Sequence, residues 1–231
     1  MLRLRQYPDR SYFHVMILSS IKDLIKKADC EGLRAVLSKN PGLANEPIRL
    51  DDNPAKAHPL HRICDGVFNG VYSDQAAVEM ARIFLEFGAN VNGNVTAEKK
   101  DTPLVAAASL NADEVALLYI DHGADVHHAG CHGGTALHWA AWCGRDRLVK
   151  RLILEKAPLE KRCIDFKGTP LLWAVHGYKF EGGKNRHRQI ECVRLLLQAG
   201  ADKTVPNIEG TLAMQFLDGE DIELKNLLDK A

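Results

Sequence analysis

The chain has 231 residues, with 30 Lys and Arg against 30 Asp and Glu, so its formal net charge is zero. That balance supplies no molecule-wide attraction to nucleic acid or an anionic membrane surface, and no stretch reaches the ~20 apolar residues a membrane helix needs. Six cysteines at irregular spacing (Cys30, Cys64, Cys131, Cys143, Cys163, Cys192) form no disulfide framework, which points to a reducing compartment, the cytoplasm.

Residues 1–20 read as an N-terminal extension. Arg3, Arg5 and Arg10 precede a short apolar run from Tyr12 to Leu18, the superficial look of a secretory signal. The run holds His14, lacks a small-residue cleavage site and leads straight into an amphipathic helix, so it is not read as a signal. Residues 1–15 are expected to be dispensable for folding, with Met16 as an alternative start.

The helix from Ile21 to Ala28 has a charged outer face, as a terminal capping unit requires. Leu33, Val36 and Leu37 belong to its partner helix, and Asn40 to Asn45 closes the unit. Residues 46–57, with Pro47 and Pro54, predict an extended hairpin.

From His58 onward a two-helix pattern recurs. Thr-Pro-Leu stands at 102–104 and at 169–171, with weaker copies at His58-Pro59-Leu60-His61 and Gly210-Thr211-Leu212. The fullest copy runs from Gly134 to Gly144. There Thr135 is a good N-cap, Leu137, Ala140 and Ala141 form a helical apolar stripe, and Gly144 permits the turn that ends the helix. Leu148, Val149, Leu152 and Ile153 stripe a second helix. A unit this small buries its apolar faces only by stacking on neighbours. Its far end repeats as well, as Gly88-Ala89-Asn90-Val91-Asn92, Gly123-Ala124-Asp125-Val126-His127 and Gly200-Ala201-Asp202.

The two signatures are 21 residues apart in the units beginning at Thr102 and Thr135, but 30 and 31 apart in those beginning at His58 and Thr169. Two units therefore carry insertions, near Gly66 to Ser73 and near Gly177 to Arg186. Their bounding glycines predict surface loops. A last, shorter unit contains Leu212, Phe216, Ile222, Leu224, Leu227 and Leu228.

These signatures, recurring in phase, resemble the ankyrin-repeat family, whose period is about 33 residues and whose motif is T-P-L-H-x-A. The resemblance covers about residues 20 to 231. Departures are Ala136 in place of Pro, Val105 and Leu172 in place of His, and Lys156-Ala157-Pro158 in place of Gly-Ala-Asp. The resemblance implies an all-α solenoid of about six units with hairpin fingers, approximately 21–57, 58–97, 98–130, 131–163, 164–205 and 206–231, the outer two acting as caps. It implies that His61 and His138 tie adjacent repeats by hydrogen bonds. It also implies a monomeric, non-enzymatic protein-binding module without a cofactor, working through a groove, its fingers and the inserted loops.

Catalytic signals are weak. Gly177 and Gly182 have phosphate-loop spacing, but Gly183 intervenes before Lys184, and Asn185 stands where a metal-binding hydroxyl belongs. His127, His128, Cys131 and His132 offer zinc-type donors, yet they fall on a finger tip with no closed cage. An enzyme is the remote third reading, behind an interaction module and a dedicated inhibitor that blocks one enzyme or toxin.

For the contact surface, the resemblance places Ser109 and Leu110, Trp142 and Cys143, then His176 and Gly177 in a row along the groove. Trp142 is the expected apolar anchor, with Tyr178 nearby. Trp139 and Trp173 are expected to stack between repeats. Residues 51–130 carry 5 Lys and Arg against 12 Asp and Glu, while residues 131–200 carry 13 against 6. This block pattern predicts a surface dipole. Arg145, Arg147, Lys150, Arg151, Lys179, Lys184, Arg186 and Arg188 are its basic flank, suited to a protein partner acidic at the contact.

Overall fold

The computed structural model describes residues 18, 20–49, 56–94, 100–180 and 185–230. Residues 1–15 and Lys184 lie outside these. Among the described residues a helical segment over residues 20–26 (α1) is followed by α2 (Cys30–Lys39) and a 3-10 turn, Pro41–Asn45. Strands β1 (Ile48–Arg49) and β2 (Lys56–Ala57) then pair antiparallel, with Ile48 opposite Ala57, so the connector is the hairpin its sequence predicts. Four helix pairs follow: α3 (Pro59–Phe68) with α4 (Asp74–Glu86), α5 (Pro103–Ser109) with α6 (Asp113–Asp121), α7 (Ala136–Trp142) with α8 (Asp146–Leu154), and α9 (Pro170–Phe180) with α10 (Arg186–Gln198). A 3-10 turn at Ala213–Phe216 and α11 (Ile222–Lys230) complete the array.

The pairs stack in two rows. The first helices α3, α5, α7 and α9 and the last 3-10 turn form an inner row, and α2, α4, α6, α8, α10 and α11 an outer one. We number the repeats one to six along the chain. Each inner helix starts on its signature. Thr102 Oγ1 accepts from the Val105 N–H and Thr169 Oγ1 from the Leu172 N–H, while His58 caps α3 by accepting from the Leu60 N–H at Nδ1. Pro59, Pro103 and Pro170 occupy the first helical position, where the missing N–H costs nothing. Leu60, Leu104, Leu137 and Leu171 are buried in the core. Truncating any of them to Ala costs about 2–5 kcal/mol.

Outer helices in repeats two, three and five end on Gly88, Gly123 and Gly200 at positive φ. In repeat four Lys156 takes that place at φ 62. The departure from Gly-Ala-Asp therefore keeps the backbone and accepts the cost of a left-handed non-glycine residue, ~1 kcal/mol.

Longer helices take up most of the extra length of the first insertion, with residues 69–73 forming the largely exposed turn that the sequence predicts, and they lengthen repeat five as well, where residues 181–184 lie outside the described residues. Compared with repeat three, α3 has 10 residues against 7, α4 has 13 against 9, and their connection has five against three. Repeat five behaves the same way, with 11 and 13 residues in α9 and α10. Gly66 and Gly177, which suggested loop boundaries, are packing glycines inside the helices, whereas Gly70 lies in the turn at φ 66. A Cβ on Gly177 would lie 2.3 Å from the Trp142 carbonyl oxygen, and one on Gly66 would enter the Tyr72 ring. The longer outer helices clamp the short repeats between them. Asp74, the first residue of α4, accepts from the Glu114 and Val115 N–H groups of α6, and Gln189 of α10 donates to the Trp142 carbonyl at 3.0 Å.

Candidate functional site

His138 shows how the inner row is locked. Its Nδ1 accepts from the Thr135 N–H at 3.0 Å, which leaves the proton on Nε2. Nε2 donates to the carbonyls of Lys161 (3.0 Å), at the end of its own unit, and Gly168 (3.3 Å), in the next. Burial pushes its pKa down to about 4, so the ring is neutral and the bond to repeat five is kept at neutral pH. His138 is the inter-repeat tie the sequence implied. Burial also lowers His61.

The fingers are sewn together by side chains at matching positions. Asn45 Oδ1 accepts from the Asn90 N–H, Asn92 Oδ1 from the Asp125 N–H, and Glu160 Oε1 from the Asp202 N–H. Between repeats three and four the matching residues are His127 and Pro158. Proline has no N–H, so this bond has no donor.

Outer helices compensate at that same junction. Arg147 of α8 meets Glu114 of α6 at 2.7 Å, Arg151 meets Asp121 at 2.7 Å, and Arg145 meets Asp113 at 3.6 Å. The acidic and basic blocks therefore face one another along α6 and α8. Three ion pairs join the two blocks there.

Aromatic rings converge on the inner row of repeats four to six. Trp139 and Trp173 meet edge-on with centroids 5.0 Å apart, the stacking expected between equivalent positions. Trp142 is half-buried, edge-on to Trp173 (5.6 Å) and stacked on His176 (4.8 Å, 26°). His176 continues to Phe180 at 4.3 Å and to Phe216 at 5.6 Å, and Phe166 from the finger stacks on Trp173 at 5.6 Å. Phe180 closes the row at 61% exposure. Nδ1 of His176 and Nε1 of Trp173 are buried without a hydrogen-bond partner, so this face holds polar capacity its own fold does not use. Finger residues Ile164 and Ile208 extend the apolar surface at 43% and 63% exposure.

Several expected contact residues are placed elsewhere. Cys143 and Tyr178 are buried, because one ends α7 under α10 and the other faces inward from α9. Lys179 is not a basic flank. Its Nζ lies 2.8 Å from both Asp218 and the buried Asp221, which raises its pKa and fastens α9 to the last unit. Burial alone would raise Asp221, but bonds from Lys179, the Asp218 N–H and the Tyr178 hydroxyl hold it below the usual range. Arg145 is tucked between α6 and α8. Arg188 approaches Asp146 at 4.0 Å, and Arg186 lies 5.0 Å from the Tyr178 ring centre, on the outer side. Ser109, bonded to the Ala106 carbonyl, and Leu110 are half-buried at the end of α5.

The finger cluster is also dispersed. His128 donates to the Lys100 carbonyl, Cys131 bonds Asp101 and His132 pairs with Asp165. Among the described residues no three His, Cys, Asp or Glu side chains are grouped as metal ligands. No helix among them is long and apolar enough to cross a membrane.

Phe166, Phe180 and Phe216 were not assigned to the site from sequence. Aromatic residues at 173, 176 and 180 lie three and four apart, a spacing that puts them on one helix face. That signal was present, masked by the glycines that suggested a loop.

A family described as ankyrin repeats (3 copies) matches residues 70–161, and the single ankyrin repeat matches residues 168–208. Mouse and human palmitoyltransferase ZDHHC13 are each 35% identical over 91 residues, 39% of this chain and 13% of theirs. A Plasmodium falciparum protein carrying an E3 ubiquitin-protein ligase name is 28% identical over 212 residues, 87% of this chain and 2% of its own length. The chain thus spans a small part of these relatives. The likeness to the palmitoyltransferases is to their repeats and not to an enzyme domain.

Proposed function

Because the chain belongs to the ankyrin-repeat family, a family of protein–protein interaction modules, we propose that it captures its protein partner on the inner face and fingers of repeats four to six. The observation that carries this reading is the ring row Trp142–His176–Phe180, continuous between repeats and open at Phe180. Aromatic side chains supply large contact area at low ordering cost and dominate interface energies. The rings are already fixed by one another, so little entropy is lost on docking. Trp142 is the anchor and Phe180 the leading edge. The cytoplasm is the proposed compartment, supported by the buried free thiols of Cys64, Cys163 and Cys192.

The test begins with capture from native lysate by the immobilised protein and identification of the bound species by mass spectrometry. Phe180→Ala and Phe68→Ala are then compared. Both phenylalanines end a lengthened inner helix and both are exposed, at 61% and 58%. Phe180→Ala is expected to weaken the partner by ~2 kcal/mol, about 30-fold, mainly through faster dissociation, and Phe68→Ala to leave it unchanged. Equal loss at both, or loss only at Phe68, rejects the assignment.

A further inference from the structure

Between the fingers of repeats three and four and those of repeats four and five lies a cavity of about 380 Å³, lined by His127, His128, Lys161, Arg162, Gly133 and Ile164 among others. No carboxylate lines it. It opens beside the one place where Pro158 leaves the finger ladder without a donor.

Its cationic wall is held in place. The Lys161 carbonyl accepts from His138 Nε2 at 3.0 Å, which fixes the backbone that carries the ammonium. Arg162 donates through Nε to the Lys167 carbonyl and through an Nη to the Pro206 carbonyl, at 2.8 and 2.7 Å. Carbonyls orient a guanidinium without neutralising it. Lys161 and Arg162 enter none of the ion pairs found among the described residues. Four acids on the finger segments are engaged by donors of the chain itself. Asp101 accepts from the Cys131 N–H, Asp125 from the His127 N–H, Glu160 from the Asp202 N–H, and Asp165 pairs with His132. Ile164, 43% exposed, adds an apolar patch to the lining. Gly133, at φ +69, is required there: a Cβ would come within 2.7 Å of the Ile164 nitrogen.

We infer that this cavity receives an acidic side chain of the partner, with an adjoining apolar residue laid on Ile164. The inference rests on the inner-face reading, since it adds the charged subsite beside the aromatic row. A carboxylate pairs with the oriented Arg162 guanidinium and the adjacent Lys161 ammonium, and the apolar patch favours a peptide over a nucleic-acid backbone, which needs a longer run of cations.

The test uses a defined probe on the full chain. Acetyl-Leu-Glu-Glu-amide is titrated while amide chemical shifts of Gly133, Ile164 and Lys161 are followed, with acetyl-Leu-Gln-Gln-amide and inorganic phosphate as controls. The Glu peptide is expected to give saturable shifts at these amides, weakened at least tenfold by the exposed-site variant Lys161→Glu. The other two probes are expected to give none. Equal shifts from the Gln peptide, equal shifts from phosphate, or no effect of Lys161→Glu would each overturn the assignment. Against the captured partner, loss with Phe180→Ala but not with Lys161→Glu leaves the inner-face reading standing and removes this one. Retention with Phe180→Ala removes the inner-face reading itself.

Discussion

On the inner side of repeats two and three the finger recess is lined by Lys56, His58, His61, Asn94, Lys100 and Asp101, whereas repeats four to six present Trp142, Trp173, His176 and Phe180. Both regions stand on the same two-row scaffold. Their contrast comes from a few positions on each inner helix. Repeat three fills them with Ala106 and Ser109, small side chains of which the second turns back onto the Ala106 carbonyl. Repeats four and five fill them with rings that each need another ring beside them. The scaffold sets where side chains can stand, and the choice at these positions decides which half offers an apolar contact.

Lys179→Ala makes the largest break in this comparison. It leaves the Asp221 carboxylate, 2% exposed, without its cation, and should cost about 3 kcal/mol. Loss should begin at α11 and the Phe216 turn and spare repeats two and three. Amide hydrogen exchange resolves this. Uniform loosening, or no change, would show that the last unit is not fastened through Lys179.

Acid acts on both halves. Burial holds His58 and His138 at about 4, below the unfolded value near 6.5. As pH falls below 6.5 the unfolded chain gains protons that these folded sites refuse, so stability is full above 6.5 and declines toward pH 4. At pH 5.5 the loss is about 1.4 kcal/mol per histidine. Urea unfolding at pH 7.5 and 5.5 measures it. A flat profile between those values would contradict the buried neutral rings.

The smallest effect sharpens the junction where the two regions meet. Lys156→Gly removes a left-handed lysine at φ 62 and should stabilise by roughly 0.5 kcal/mol, the relieved strain being partly offset by unfolded-state entropy. A destabilisation in thermal unfolding would show that the lysine side chain contributes more than its backbone costs.

The repeat architecture was legible because Thr102, Thr135 and Thr169 cap helices through local chemistry that any copy must keep. The length of α3 and α9 was not legible. Gly66 and Gly177 look like turn residues until the packing against Tyr72 and the Trp142 carbonyl explains them. The charge blocks were legible as composition, but their pairing across α6 and α8 was not, because nothing in the order of residues tells that these helices place acids and bases opposite one another. Of the aromatic row, Trp142 and His176 were visible in their spacing. Phe166 and Phe216 join only when a finger and the last unit fold onto α9. Lys179 was misplaced for the same reason, since Asp218 and Asp221 lie some forty residues further along the chain.

The assignment of the partner to the aromatic half is tested most directly by amide hydrogen exchange of the protein with and without its captured partner. Binding is expected to protect α7, α9 and the finger segments around Ile164 and Ile208, leaving α3, α5 and the Lys56–His61 region unchanged. Protection confined to that polar region, or to the outer helices, would contradict it.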